Sequence, residues 1–160
     1  MRTLIAYRTR YGTTAECART LAQRIGGEVT VVDLADQPRA TVSGYDVVLI
    51  GGSIYAGKIQ RQVPSFCERN RAALLASRVG VFLCCFFTGE EATVQMQSAF
   101  PDWLLAHAFH RTFPGGRVIF DRLSLLDRLL ARSLPHPAGD LSRLRPESLE
   151  ELAAAVRAES

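Results

Sequence analysis

The hydroxyls of Thr9, Thr13 and Thr14 are spaced around Arg10, Tyr11 and Gly12, and that set of residues is suited to holding an anion. A short apolar run, Thr3 to Tyr7, precedes them and reads as a strand. From Thr14 onward Cys17, Ala18, Leu21, Ala22 and Ile25 recur at helical spacing. The loop therefore stands on a helix N-terminus, where unpaired N–H groups and the helix dipole both favour negative charge and where Gly12 allows close backbone approach. The chemistry expected is phosphate binding. Neither GxxxxGK[ST] nor GxGxxG follows the strand, which excludes a Walker loop and a dinucleotide fingerprint.

Two further stretches break apolar runs in the same abrupt way. One is GGSIYAGK, with Ser53, Ile54, Tyr55, Ala56, Gly57 and Lys58; the other is CCFFTGEE, with Cys85, Phe86, Phe87, Thr88 and Gly89. Tyr55 could stack on a flat ring, and Phe86 and Phe87 could line its edge or belong to the core. No general base or nucleophile stands out. His107, His110 and His136 are scattered and read as structural or surface groups.

The elements that must position these loops alternate along the chain. Glu28 to Leu34 reads as a second strand, Ala35 to Gly44 as a loop or one poor helix, and Tyr45 to Gly51 as a third strand covered on both faces. A helix is expected over Gln60 to Ala76, starting near Pro64, then a central strand over Arg78 to Phe87. A helix from Glu90, with its acidic first turn, is cut by Pro101; His107 to Phe113 alternates as a fifth strand. A periodic stretch over Arg122 to Leu134 and a last helix over Pro146 to Ala158 follow. Strands alternating with helices imply an α/β fold with a doubly wound parallel sheet. Ligands bind such sheets beyond the carboxyl ends of the strands, where all three loops would lie.

The 160 residues suit one domain, able to bury about two-thirds of its unfolded surface without staples. Cys17, Cys67, Cys84 and Cys85 form no CxxC and have no His partners at metal spacing, so core thiols are expected and no metal. No apolar run is long enough to cross a bilayer and no signal peptide opens the chain, which points to a cytoplasmic protein. A net charge of +3 is too mild for a nucleic-acid binder. Within 111–134, however, Arg111, Arg117, Arg122, Arg128 and Arg132 face only Asp121 and Asp127, and Leu123, Leu126, Leu129, Leu130 and Leu134 share a stripe. Two readings stay open: a helix packed on its own sheet, or peripheral contact with an anionic membrane surface or a quinone-bearing partner.

The chain resembles the flavodoxins, and within them the proteins grouped with menaquinone-dependent protoporphyrinogen IX dehydrogenase. The resemblance is carried by TRYGTT, YDVVLIGGSIYAGKIQ, VGVFLCC with its GEE, and GGRVIFDRLSLLDRLL. It implies a five-stranded sheet of order 2-1-3-4-5 with helices on both faces. It also implies FMN, with the phosphate on Thr9, Arg10, Gly12, Thr13 and Thr14 beside Tyr11, and the ring between the second and third loops. It implies electron transfer from a small-molecule redox substrate to a quinone, or exchange with a redox protein. Unlike acidic electron carriers, this chain is net positive and ends its second loop in Lys58, which would favour the reduced, anionic flavin.

Overall fold

In the computed structural model, residues 1–118, 141–142 and 144–158 are described. The chain runs β1 (Arg2–Tyr7), α1 (Thr13–Ile25), β2 (Glu28–Asp33), β3 (Val47–Tyr55), β4 (Lys58–Ile59), α2 (Gln62–Arg69), α3 (Arg71–Leu75) and β5 (Arg78–Cys84). It continues α4 (Gly89–Ala99), α5 (Asp102–His107), β6 (His110–Thr112), β7 (Arg117–Val118), β8 (Leu141–Ser142) and α6 (Pro146–Arg157). The main sheet has the order β2-β1-β3-β5-β6, all parallel, with β4 turning back antiparallel on β3. The expected order is present, its fourth and fifth strands being β5 and β6. A two-stranded ribbon, β7–β8, is separate.

Alternation along the central strands explains the two layers of helices. Leu4, Ala6, Val48, Ile50, Val79, Val81 and Leu83 face a core completed by Val63 and Phe66 of α2, Leu74 of α3, Met96 of α4 and Leu104 of α5. Their neighbours Ile5, Val47, Leu49, Phe82 and Cys84 face the other core, completed by Cys17, Leu21 and Ile25 of α1 and Leu149, Leu152 and Val156 of α6. The β2–β3 connection carries no helix. It leaves a cavity of about 550 Å³ between the sheet residues Leu4, Thr30 and Val32 and the loop residues Pro38, Arg39, Ala40, Thr41 and Ser43, away from the three loops of interest.

Several expected boundaries shift, each for a non-local reason. The helix expected over Gln60 to Ala76 is two helices, because Asn70 leaves helical geometry and its Nδ2 donates to the carbonyls of Phe66 and Ala40. The strand expected to reach Phe87 stops at Cys84. His107 ends α5, where it donates through Nε2 to the Ser77 carbonyl at 2.8 Å, so the last parallel strand is only His110–Thr112. The periodic stretch Arg122 to Leu134 lies outside the described residues.

Gly51 shows how closely the central strands are filled. It pairs in register with Phe82, and a Cβ built at Gly51 would lie 2.0 Å from Phe82 Cζ. Phe82 is fully buried, so the ring has nowhere cheap to go. Gly51→Ala is expected to lower unfolding free energy by about 1–3 kcal/mol. Urea denaturation should show that loss shrinking when Phe82 is first changed to Leu; equal losses in both backgrounds would mean the ring is not the obstacle.

Candidate functional site

The strand ends of β1, β3 and β5 lie side by side, since Tyr7 pairs with Gly51 and Ser53 with Cys84. The first loop leaves β1 and enters α1 through Gly12, the N-cap, whose φ of 97° is left-handed. Only glycine adopts that conformation readily. The Gly12 amide donates to Thr9 Oγ1 at 2.9 Å, and the first intrahelical bond runs from the Glu16 N–H to the Gly12 carbonyl at 3.0 Å. No side chain caps the helix. The amides of Thr13, Thr14 and Ala15 therefore precede the helical ladder at the positive end of the dipole. Thr14 is fully buried, and its hydroxyl makes no hydrogen bond although it lies beside the Cys84 sulfur.

The first and second loops meet through aromatic and cationic side chains. The Arg10 guanidinium lies 3.9 Å from the Tyr55 ring centre, and Arg10 Nε donates to the Tyr11 hydroxyl at 3.2 Å. Tyr11 and Tyr55 meet edge to face at 6.2 Å. Such contacts contribute on the order of 1 kcal/mol each. Tyr55, expected to flank a flat ligand, has Arg10 against its face here.

Ser53, Ile54 and Tyr55 are not in a loop. They extend β3, because β4 returns against them with Ile54 opposite Ile59 and Tyr55 opposite Lys58. The turn is Ala56-Gly57, both at positive φ, 48° and 76°. Two positive φ values are what a tight two-residue hairpin turn demands. Gln60 closes the hairpin: its Nε2 donates to Ser53 Oγ at 2.9 Å and its Oε1 accepts from the Ser53 amide at 3.2 Å. Lys58 is exposed.

The third loop begins at Cys85, which is buried, and burial pushes its thiol pKa up. Phe86 is half-buried; Phe87, Thr88 and Gly89 are exposed at the start of α4. Sequence reasoning missed three neighbours. Arg8 roots the first loop: its amide donates to the Gly51 carbonyl at 3.1 Å, its guanidinium donates to the Thr9 carbonyl and lies 3.9 Å from Asp33. Gly116 packs on the Cys85 backbone, where a Cβ would come within 3.1 Å. Arg117 bonds Glu16 of α1 at 2.9 Å, so the segment after β6 crosses the strand ends toward the first loop. Only the tertiary fold brings these groups there.

A sequence profile of the flavodoxin domain matches residues 4–143. The chain belongs to the flavodoxin domain family. Among solved structures, the flavodoxin of Streptococcus pneumoniae TIGR4 is similar over 100% of both chains, with a TM-score of 0.61 and 17% identity. Oxidised flavodoxin 1 of Bacillus cereus is similar over 100% of this chain and 99% of its own, with a TM-score of 0.60 and 13% identity. Rubredoxin oxygen:oxidoreductase of Desulfovibrio gigas matches 98% of this chain with 37% of its own, at a TM-score of 0.55 and 14% identity. No curated protein is detectably similar in sequence. In this flavodoxin domain no described helix is long and apolar enough to cross a membrane, and no described group of His, Cys, Asp or Glu could hold a metal ion.

The left-handed Ala56 marks strain in the second loop of this flavodoxin domain, and such strain gathers at binding sites. Ala56→Asn, which tolerates that conformation, is expected to stabilise the protein by about 0.5–1 kcal/mol, and Ala56→Val to destabilise it by about 1–2 kcal/mol. Thermal denaturation in which the two variants match would remove the strain from the account.

Proposed function

We propose that the chain is an FMN-dependent oxidoreductase that passes electrons from a reduced substrate such as protoporphyrinogen IX to a quinone. The observation that carries the flavin part is the fully buried, unpartnered Thr14 hydroxyl at a helix start with no side-chain cap. A buried hydroxyl without a partner costs about 1–3 kcal/mol, and a phosphate oxygen would satisfy it. Thr13, Thr14 and Ala15 would offer their amides to that phosphate, with Thr9, Arg10, Tyr11 and Gly12 around them. The segments Ser53–Lys58 and Cys85–Gly89 would border the ring, with the face of Tyr55 that Arg10 does not cover as the flat surface against it.

FMN, when bound, supplies hydride or single-electron transfer. The chain's own part is to bind, orient and tune. Arg10 and the exposed Lys58 place positive charge at this end of the molecule, which favours a reduced, anionic cofactor. The substrate and quinone part of the reading is supported by the resemblance in TRYGTT and GGSIYAGK and by the absence of an acidic carrier-like charge balance. Arg111 and Arg117 are held by the Leu105 carbonyl and by Glu16, so membrane or quinone contact through 111–134 would rest on Arg122, Arg128 and Arg132, outside the described residues.

Thr14→Val separates ligand binding from folding, because it removes an orphaned hydroxyl while keeping the side-chain shape. The variant is expected to be at least as stable as the wild type without FMN, yet to bind FMN about ten- to a hundredfold more weakly, the loss of one hydrogen bond to a charged group. Fluorescence titration giving unchanged affinity in both Thr14→Val and Gly12→Val would refute the assigned loop. Steady-state turnover of protoporphyrinogen IX with a menaquinone analogue is expected of the FMN-loaded protein. Electron exchange with a reductase alone, without turnover, would make it a carrier instead.

Lys58→Glu is expected to lower the flavin midpoint potential by about 10–40 mV, since an exposed charge contributes no more than about 1 kcal/mol and the change reverses it. Spectroelectrochemistry giving equal potentials would show the ammonium screened to insignificance.

A further inference from the structure

Two of the four cysteines meet in the core beneath the first and third loops. Cys84, the last residue of β5, lies with its sulfur 3.8 Å from that of Cys17, in the second turn of α1. Both belong to the layer between the sheet and α1–α6, and each is 3% exposed. The other two are placed differently. Cys67 is fully buried on the opposite face of the sheet, and the sulfur of Cys85 lies 3.7 Å from the Phe87 carbonyl, to which it donates.

We propose that Cys17 and Cys84 form a reversible dithiol–disulfide couple, a modification site independent of the flavin reading. The sulfurs must close from 3.8 Å to about 2.05 Å, a movement on the scale of small side-chain rotations. The pair is also chemically asymmetric. The Cys84 S–H donates to the Cys17 sulfur, which lowers the Cys17 pKa; that bond, together with burial, raises Cys84 well above its usual value. Cys17 is therefore the attacking sulfur and Cys84 the resolving one. Burial limits access but does not forbid it. The pair lies at the end of β5 and the start of α1, beside Thr14 and Cys85, and local opening of the chain at such element ends requires far less than global unfolding.

The oxidant is a hydroperoxide. The Cys17 sulfur attacks the peroxide, the O–O bond breaks, and its thiol proton leaves with the departing oxygen as water or an alcohol; Cys17 becomes a sulfenic acid. The Cys84 sulfur then attacks Cys17, the S–O bond breaks, and water leaves with the Cys84 proton. Two thiols have lost two electrons and two protons to the peroxide, and a small thiol reverses the change. In a reducing compartment such a bond would be transient, as redox-responsive disulfides are. Its place ties the start of α1, which carries the first loop, to the end of β5, which opens the third.

The full chain, reduced and then treated with hydrogen peroxide, tests this by intact mass and peptide mapping. The expected result is loss of the mass of two hydrogen atoms, a single Cys17–Cys84 link, and full reversal by dithiothreitol. Cys67→Ser should behave as the wild type, whereas Cys17→Ser and Cys84→Ser should form no link. In Cys84→Ser a 1,3-diketone should trap the sulfenic acid at Cys17, and in Cys17→Ser it should leave Cys84 unlabelled. Absence of the mass loss, a link to Cys85, or a link between molecules would overturn the proposal. Should the variants fail to fold, the map of the wild-type protein decides alone.

Discussion

Three parallel strands buried on both faces set the terms for everything else in this chain. β1, β3 and β5 satisfy their backbone groups by pairing with one another, and of their side chains only Thr3, near the start of β1, is a buried polar one. Polar chemistry is thereby driven to the carboxyl ends, which the register aligns: Tyr7 beside Gly51, and Ser53 beside Cys84. The first and second loops touch there because this register sets the ends of β1 and β3 side by side. Thr14 is the instructive case: like Thr3 Oγ1, Arg8 Nε and Gln95 Oε1 its hydroxyl is buried without a partner, and it is the one of the four that stands in the first turn of α1.

The second loop shows a different balance. Extending β3 to Tyr55 gains two antiparallel pairs with β4 and the Gln60–Ser53 bonds, each worth on the order of 1 kcal/mol. Against this stands the left-handed Ala56, which costs a comparable amount. The hairpin thus holds Tyr55 and Lys58 on one rigid ladder rather than on a free loop. Arg10 and Tyr11 reach Tyr55 across the gap, so the two loops that would border a cofactor already hold each other in place.

Much of the architecture is readable from apolar spacing. The alternation of Leu4 to Ala6, Val47 to Ile50 and Val79 to Cys84 marks buried strands, and α1 and α6 follow their helical stripes. The strand order came from family resemblance, since periodicity says nothing about which strands are neighbours. The errors share a cause: each depends on a partner distant along the chain. Asn70 breaks a helix to reach Ala40, β3 lengthens because Ile59 returns to Ile54, and His107 stays helical while bonding Ser77. In the site, the hydroxyls and glycines of the first loop were visible as a motif. Arg117 reads in the sequence only as part of a basic stretch, Gly116 only as part of GGRVIFDRLSLLDRLL, and Arg8 carries no local signal; that all three reach the strand ends depends on the tertiary fold. The pairing of Cys17 with Cys84, 67 residues apart, is invisible until the sheet brings α1 and β5 together.

The central claim is that the strand ends hold FMN, and the visible spectrum of the freshly purified protein tests it most directly. Flavin absorption bands are expected, lost from the protein on acid precipitation and recovered in the supernatant as FMN rather than FAD. A colourless protein that also takes up no added FMN would contradict the account.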